Sequence, residues 1–394
     1  LLRSYSISLI PFNQCSTWSP FTIMMAVLNL FLLKGLFSGA GIRSYNEPNF
    51  LFPFISSDFK RKIRATTEFG LQYNYQLRPE FLRTMASANW SYKWTQRQKI
   101  QHRIDLINIA FLYLPRISER FKEDYINKGQ NHIFQYNYQD RLIINMGYSY
   151  NYNSVGGSII NNTIASNSYS IRFNFESAGN VMYALSKAAN IRKNSNGEYA
   201  ILGIPYAQYL KGEFDFAKNI RIDYRNSFAF HAGVGIAVPY GNAKTIPFEK
   251  QYFSGGANSV RGWSVRDLGP GSFAGNGNLL DQSGDIKLDA SIEYRSKLFW
   301  KFQGAAFIDA GNIWTIRSYA NQPGGVFKFD RFYKQIAVAY GLGLRLDLDF
   351  FILRFDGGMK AVNPAYETRK EHFPIIHPKF SRDFAFHFAV GYPF

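Results

Sequence analysis

The sequence predicts an all-β fold, specifically a transmembrane antiparallel β-barrel. Polar and apolar residues alternate with a period of two through much of the chain, and aromatic residues make up 18% of its 394 residues. No run of about eighteen uncharged apolar residues is present, which excludes a membrane-spanning helix of ordinary length. No linker-like stretch or charge block divides the chain, so we expect one large unit.

The alternation is clearest between Phe134 and Tyr152. Its even positions are mostly apolar or aromatic, whereas most of its odd positions are polar. The pattern recurs near residues 69–77, 171–176 and 342–348. Because successive side chains of a strand point to opposite faces, each segment is predicted to be a strand with one apolar and one polar face.

Such strands suit either a soluble sandwich or a membrane barrel. The apolar face would lie inside a sandwich, whereas in a barrel it faces lipid and the polar face lines the lumen. The segments are roughly ten residues or longer, which is the length that crosses a bilayer at a tilt. Their polar faces carry charges that a dry core would not tolerate without partners, namely Arg345, Asp347, Arg354 and Asp356. These features favour the barrel.

Strand-like segments can be placed in order along the chain. We predict thirteen, near residues 37–52, 66–78, 83–96, 100–114, 133–153, 167–178, 205–217, 219–239, 285–298, 303–316, 335–347, 350–361 and 383–394. Residues 37–394 form the predicted barrel domain, and residues 1–36 are an atypical N-terminal segment without clean alternation. Bacterial barrels of this type have an even strand number. We expect sixteen, so either residues 1–36 supply the first strands or the start is truncated.

The charge and cysteine content narrow the class of partner. The chain has a formal net charge of +17 and one cysteine, Cys15. A basic excess suits nucleic acid, an anionic membrane surface or a charged channel lining. The basic residues are dispersed, however, so we expect no nucleic-acid partner. One cysteine excludes a disulfide framework within the chain, and we expect no metal and no cofactor.

The longest predicted loop, residues 241–284, carries the most distinctive motif. Val260, Arg261, Gly262 and Trp263 follow one another in it. The run resembles the signature loop of the BamA/TamA superfamily of outer-membrane assembly factors, whose core is Val/Ile-Arg-Gly-Phe/Tyr. Trp263 departs from that pattern but keeps a large ring.

Two further motifs follow in the order that this family shows. Phe307, Asp309 and Gly311 resemble the family's Phe-x-Asp-x-Gly strand motif. The end of the chain resembles the alternating C-terminal strand with a final aromatic residue that outer-membrane barrels use as an assembly signal. Its candidate residues are Phe386, Phe388, Gly391, Tyr392 and Phe394.

The resemblance implies a location, a function and partners. A BamA/TamA-type protein would lie in the bacterial outer membrane, fold its signature loop into the lumen, and help to insert or export client outer-membrane proteins. Outer-membrane lipid or lipopolysaccharide would surround it, and a periplasmic or inner-membrane partner is left open. Residues 247–250, 284–287 and 392–394 look most like the TamA-like (TamL) branch of Bacteroidetes. The family's periplasmic POTRA modules do not fit within residues 1–36, so we expect them outside this sequence, or a partner to replace them.

The signature arginine needs acidic partners if it reaches into the lumen. A buried guanidinium is a planar five-donor group that requires carboxylates. Alternation places Asp309 on the same face as Phe307 and Gly311, and Glu293 on the face opposite Ile292. In the family the arginine contacts acids at such positions, so the resemblance implies that Arg261 pairs with Glu293 and Asp309. The alternative is that each acid is a solvated lumen residue.

The last strand offers a second site. A barrel closes by pairing its last strand with its first, and a weak seam leaves an edge that can pair with an incoming strand. Gly391 and Pro393 would weaken pairing there, although Pro393 could simply end the strand. The resemblance implies that this seam is a gate.

No common catalytic motif is present, and we expect no enzymatic activity. His372 and His377 lie near Glu371 in a polar loop, where a solvated loop is the better interpretation than a metal site. His231 and His387 are predicted to face the lumen. Two alternatives to an insertase remain open: a pore that secretes a partner protein, and a barrel enzyme that acts on lipids.

Overall fold

The fold is seen in a computed structural model that describes residues 40–47, 63, 65–77, 81–117, 139–155, 167–275, 281–348 and 351–394. The predicted N-terminal segment, residues 1–36, lies outside the described residues, and the boundary that we placed after it stays a prediction. Within the described residues, no helix has both the length and the apolar character needed to span a membrane.

In the described ranges, thirteen long strands form one antiparallel sheet in which each strand pairs with the next along the chain. The strands are β1 (Ala40–Glu47), β2 (Thr66–Leu77), β3 (Phe81–Gln96), β4 (Ile100–Ile117), β5 (Arg141–Asn153), β6 (Ser168–Ala178), β7 (Tyr209–Arg221), β8 (Asn226–Pro239), β9 (Ile286–Lys297), β10 (Phe302–Trp314), β11 (Ala337–Asp347), β12 (Ile352–Val362) and β13 (Phe384–Val390). This meander is the strand order of an up-and-down barrel.

Each of the thirteen predicted segments overlaps one of these strands, but two predicted boundaries are wrong. The turn between β7 and β8 lies at residues 222–225 instead of near residue 218, because the Asp223 carboxylate accepts hydrogen bonds from the backbone N–H groups of Arg225 and Asn226 and so fixes the turn there. The last strand ends at Val390, before the predicted residue 394. The expected count of sixteen stays a prediction.

The faces of the sheet are those of a membrane barrel. On β9, Ile292 and Tyr294 are exposed, whereas Glu293 and Arg295 between and beside them are buried. On β11, Leu342 is 71% exposed while Arg345 is fully buried. A soluble sandwich would reverse this arrangement, because it buries its apolar face. The inward face of this sheet is charged and its outward face is apolar.

The two ends of the sheet differ in their connections. At one end, four of the connections are short turns, at residues 97–99, 222–225, 298–301 and 348–351. The long loops at the other end contain the helices α1 (Asn180–Ala188), α2 (Arg369–His372) and α3 (Phe380–Asp383), the 3₁₀ turns Phe248–Lys250 and Phe332–Gln335, and a two-residue hairpin of Ala200–Ile201 with Ile204–Pro205.

A buried apolar cluster lies where the long loops meet the strands. Ile246 and Tyr252 of the loop between β8 and β9 pack in it with side chains from β4, β5, β7 and β10. That loop, residues 240–285, is therefore held on the sheet by apolar contacts as well as by its polar ones.

Candidate functional site

The loop between β8 and β9 carries the signature motif into the interior of the sheet. Val260 and Arg261 are almost completely buried, and Trp263 is 3% exposed. Val260 and Trp263 pack with Leu268 of the same loop and with Ala337 and Ala339 of β11 in one apolar cluster. This cluster places the guanidinium of Arg261 against the inward faces of the neighbouring strands.

Glycines give the motif its turn. Gly255 and Gly256 have φ values of 92° and 93°, a region that favours glycine. The N–H of Gly256 donates to the carbonyl of Trp263 at 2.9 Å, and the N–H of Trp263 donates to that of Val260 at 3.3 Å. The chain therefore folds back on itself across residues 256–263.

Arg261 contacts both acids that the family resemblance implies, Glu293 and Asp309. Its Nε donates to Oδ2 of Asp309 and its Nη2 to Oδ1, each at 2.8 Å. Its Nη1 donates to Oε2 of Glu293 at 2.6 Å. The backbone N–H of Arg261 also donates to Asp309 Oδ2 at 3.1 Å. The two-pronged pairing with Asp309 is the geometry that a guanidinium forms with a carboxylate most strongly.

The strand motif supports the arginine in other ways. The guanidinium lies over the ring of Phe307, 3.4 Å from its centroid, in a cation–π contact. Ser291 donates to Asp309 Oδ1 at 2.6 Å and orients that carboxylate. At Gly311, a Cβ would meet the backbone of Leu288 at 2.5 Å, so the motif needs glycine there.

Three further arginines and one acid complete a buried charge network. Arg345 donates to Glu293 at 2.9 Å and lies 3.0 Å from Asp356 Oδ1. Arg295 donates to the other oxygen of Glu293 at 2.7 Å. Arg354 lies 3.4 Å from Asp356 Oδ2, which is equally far from Arg261 Nη1. Since an isolated buried charge is costly, each charge of this network depends on the others.

Arg354 also holds the signature loop directly. Its Nη2 donates to the carbonyl of Ala257 at 2.9 Å and to Oδ1 of Asn258 at 2.5 Å. The loop is thus bound on both sides of its turn, by Arg261 to β9 and β10 and by Arg354 to β12.

The sequence predicts that Arg345, Arg354 and Asp356 lie on the polar face, but it does not predict their contacts with the loop. The roles of Arg295 and Ser291 were not predicted either. The sequence does show that Arg354 and Asp356 lie on the same face of β12, because they are two residues apart. It does not show their contacts with other elements, which depend on the path of the loop and on the register between β11 and β12, where Arg345 lies opposite Arg354.

The last strand contacts the signature loop through one histidine. Nε2 of His387 lies 2.9 Å from the carbonyl oxygen of Arg261, and His387 is the buried residue of β13. Side-chain atoms at two glycines would block this approach: at Gly358 a Cβ would collide with the Arg261 carbonyl, and at Gly262 it would lie 2.8 Å from Ala339.

The predicted C-terminal residues separate into two groups. Phe386 and Phe388 point outward from β13 and are 63% and 59% exposed. Gly391, with a φ of 88°, turns the chain off the strand. Tyr392 and Phe394 were expected to continue the alternation of the strand, and that expectation is wrong because the strand stops at Val390.

The residues after Gly391 lie against the inward face instead. The hydroxyl of Tyr392 donates to Gln303 at 3.0 Å, and the guanidinium of Arg295 lies 4.4 Å from its ring centroid. Phe394 stacks on His231 with ring centroids 5.2 Å apart. Aromatic contacts with a cation and an imidazole therefore replace strand pairing at this end.

One edge of β13 pairs with β12, from Leu353 opposite Val390 to Met359 opposite Phe384. Among the described residues, no strand is paired with its other edge. β13 has 7 residues, compared with 11 in β12. A short strand paired on one side has few hydrogen bonds to lose, so it exchanges its pairing more easily than a strand paired on both sides.

The interior also contains a cavity of about 1120 Å³ whose walls carry charges of both signs, among them Arg172, Asp215, Lys287 and Asp289. His231 lies between Asp215 and Asp289, 3.3 Å from each. Across the described residues, no cluster of three or more metal-binding side chains is found. Nδ1 of His372, which we weighed as a metal ligand, lies 2.8 Å from the backbone carbonyl of Tyr366.

Comparison with known proteins identifies the family. A family model described as the Omp85 superfamily domain matches residues 44–394. The chain belongs to the Omp85 superfamily. The resemblance drawn from the three motifs is confirmed at this level, and the TamA-like branch stays a prediction.

Two relatives illustrate the match. A segment of 95 residues is 35% identical to the outer membrane protein assembly factor BamA of Neisseria meningitidis serogroup B, covering 22% of this chain and 11% of that protein. The crystal structure of BamA from Haemophilus ducreyi lacking POTRA domains 1–3 aligns with 89% of this chain and 62% of that one, at 15% identity and a TM-score of 0.57. The chain thus spans less than two thirds of either relative, and the structural likeness shows the barrel fold.

CdiB from Escherichia coli also aligns, with 76% of this chain and 46% of that one, at 12% identity and a TM-score of 0.38.

Members of the Omp85 superfamily are outer-membrane β-barrel proteins, and so is this chain. In such barrels the short turns face the periplasm and the long loops face outward.

Proposed function

We propose that this Omp85 chain is an assembly factor that helps to insert client β-barrel proteins into the outer membrane, with the edge of β13 as the site where a client strand first pairs. The observation that carries the proposal is the short last strand, which within the described part of the chain pairs only with β12 and is fixed from inside through His387 and the signature loop. An exposed strand edge binds an extended chain by adding it as a further strand.

The signature loop would give this edge a rigid support. Strand exchange at β13 needs the neighbouring strands β9 to β12 to keep their places while one edge opens. The network around Arg261 joins β9, β10 and β12 through one buried side chain. On this proposal, Val260, Arg261, Gly262 and Trp263 are structural elements of the machinery, and Phe386 and Phe388 hold the gate strand in lipid.

The partners that follow are client outer-membrane proteins and outer-membrane lipid, with POTRA modules or a periplasmic partner delivering the client. The absence of enzymatic activity stays a prediction.

The proposal is tested by reconstitution. The purified chain is placed in phospholipid vesicles, and a urea-unfolded client barrel is added. Folding of the client is followed on gels. A folded barrel stays folded in detergent when the sample is not heated, so it migrates separately from the unfolded client. We expect faster folding than in empty vesicles and in vesicles that carry a barrel of another family. Equal rates in all three, with ion conductance through the reconstituted chain, would instead support the secretion pore.

A further inference from the structure

The second half of the long loop between β10 and β11, residues 326–336, is rich in exposed basic residues. It contains Lys328, Arg331 and Lys334 and a single acid, Asp330. All three basic residues are exposed. In membrane barrels such long loops face outward from the cell, so these cations lie on the outer side of the membrane.

Two successive backbone turns bring the three cations together. The N–H of Arg331 donates to the carbonyl of Lys328 at 3.0 Å, and the N–H of Lys334 donates to that of Arg331 at 3.0 Å. The residues at the two ends of such a turn have Cα atoms less than about 7 Å apart, so the three basic residues are neighbours. Asp330 pairs with Arg331 at 3.3 Å. The acid therefore offsets part of the charge of Arg331, and the two lysines remain in excess.

Aromatic side chains of the same loop hold these turns on the barrel. The ring of Trp314, at the end of β10, is completely buried, with its centroid 5.5 Å from that of Phe327 and 6.3 Å from that of Phe332. Its indole N–H donates to Gln335 at 2.8 Å. The N–H of Phe327 donates to the carbonyl of Thr315 at 2.9 Å. The cations are therefore carried on a fixed base, which reduces the entropy lost when a ligand binds.

This base lies on the lipid-facing side of the sheet. Trp314 has the same parity on β10 as Ile308, which is 56% exposed on the outward face. Trp314 also pairs with Ile286 of β9, which pairs in turn with Ile236 of β8. Ile236 is 46% exposed, so this row of residues still belongs to the apolar band of the barrel. The residues that follow Trp314 therefore lie at the outer edge of that band, beside the membrane.

Two exposed rings lie next to the cations. Phe329 is 86% exposed, and its ring centroid lies 5.0 Å from that of Phe327. Tyr333 is 58% exposed, and Nζ of Lys334 lies 5.8 Å from its ring centroid. Large rings exposed together indicate a binding surface. A flat ring beside a cation can contact the apolar face of a sugar while the cation pairs with a phosphate on that sugar.

We propose that Lys328, Phe329, Arg331, Tyr333 and Lys334 form a binding site for the phosphorylated sugars of lipopolysaccharide in the outer leaflet. We call these five residues the loop patch. Lipopolysaccharide carries its phosphates on the sugars that border the apolar layer, which is the level of the loop patch. The lysines pair with the phosphates, and the rings lie on the sugars.

The position of the loop patch favours a lipid over a protein as its occupant. An acidic protein would also match the charges, but the edge of the apolar band is where a barrel borders lipid headgroups. The site requires only that the chain lies in the outer membrane, and it is independent of insertase activity at the edge of β13.

The phosphate preference is tested with purified lipid A, the phosphorylated sugar anchor of lipopolysaccharide. The whole chain, folded in detergent, is titrated with lipid A and with lipid A stripped of its phosphates, and bound lipid is counted by native mass spectrometry. We expect Lys328→Gln with Lys334→Gln to weaken binding of the phosphorylated form roughly tenfold and to leave binding of the stripped form unchanged. Equal binding of both forms by the unaltered protein would overturn the phosphate site.

The matched control is Lys370→Gln with Lys379→Gln, two exposed lysines in the loop between β12 and β13 at the same end of the barrel. This pair lowers the net charge of the chain by the same amount, and we expect it to leave lipid A binding nearly unchanged. An equal loss in both pairs would assign the effect to overall charge and overturn the loop patch as the site.

Phe329→Ala tests the contact with the sugar. Because this side chain is 86% exposed, its removal should leave the fold intact. We expect weaker binding of both forms of lipid A, since the ring contacts the sugar and not the phosphate. The competing lipid is phosphatidylglycerol, which is acidic but has no sugar ring. Binding of phosphatidylglycerol as tight as that of lipid A, with no effect of Phe329→Ala, would overturn the sugar site. Failure of client insertion would leave all of these results unaffected.

Discussion

The guanidinium of Arg261 pairs with both carboxylate oxygens of Asp309, from a loop to a strand 48 residues further along the chain. Its third nitrogen pairs with Glu293. All three side chains are at most 1% exposed. The signature loop is therefore fixed to β9 and β10 by one side chain, whose removal would leave the buried Asp309 without its arginine.

Replacing Arg261 tests this relationship. Arg261→Ala leaves Asp309 buried without its arginine and removes one of the cations that pair with Glu293, which costs about 3–5 kcal/mol in free energy of unfolding. The measurement is urea unfolding of the barrel in vesicles. Arg261→Lys keeps the charge but cannot form the two parallel hydrogen bonds to Asp309. Its free energy of unfolding should therefore lie between those of the original protein and Arg261→Ala. A barrel with Arg261→Ala as stable as the original would contradict an anchoring role.

The ring beneath the arginine should contribute separately. Phe307→Leu keeps an apolar side chain but removes the cation–π contact, and we expect a loss of about 1–2 kcal/mol. The control is Ile308→Leu on the lipid face of the same strand, where the side chain is 56% exposed and little should change. If the two variants lost the same stability, the contact between Arg261 and Phe307 would contribute nothing of its own.

How far the sequence could predict this site is shown by the two acids. Alternation fixes which side chains of β9 and β10 face inward, so Glu293 and Asp309 were found from parity and from the family motif. Arg295 and Glu293 lie two residues apart on β9, so parity alone places them side by side. The pairing of Arg345 with Asp356 depends on the register between β11 and β12, which the pattern of a single strand does not contain.

The end of the chain shows another limit. The alternation of Phe384, Phe386 and Phe388 predicts a strand correctly, but it continues into Tyr392 and Phe394. Only the φ of Gly391 reveals that the chain leaves the sheet there. Glycine permits such a turn without requiring it, so the sequence alone could not locate the final residues against Arg295 and His231.

His387 should be needed for the hold on the last strand. His387→Leu leaves the buried carbonyl of Arg261 without this donor, a loss of about 1–3 kcal/mol. His387→Gln places an amide N–H at a similar distance from this carbonyl, so it should lose less stability than His387→Leu. Hydrogen exchange of residues 384–390, measured by mass spectrometry, is expected to quicken in the leucine variant and less in the glutamine one. Equal exchange in all three proteins would show that the histidine does not hold β13.

Asp285 gives the stability a pH dependence. It lies just before β9, and burial raises the pKa of its carboxyl to about 6 from 3.8. Between those values the folded protein keeps a proton that the unfolded chain has lost, so stability falls as pH rises from about 4 to about 6 and is level above. In Asp285→Asn, the side-chain oxygen can still accept the hydrogen bond from the backbone N–H of Ile316. The amide does not titrate, so this pH dependence is lost.

Urea unfolding at several pH values measures this effect. Above pH 6 the Asp285→Asn protein should be the more stable of the two, and below about pH 4 the two should agree. A variant that keeps the original slope between these pH values would assign the pH dependence to another group.

Closure of the seam tests the central claim most directly. Cys15 is first replaced by serine, so that cysteine pairs introduced along β13 and the first strand of the barrel form the intended disulfide. The folding rate of a client barrel is then measured with each protein in vesicles, before and after reduction. We predict that a disulfide between the two strands removes the acceleration and that reduction restores it. Full acceleration with the seam cross-linked would contradict insertion at the edge of β13.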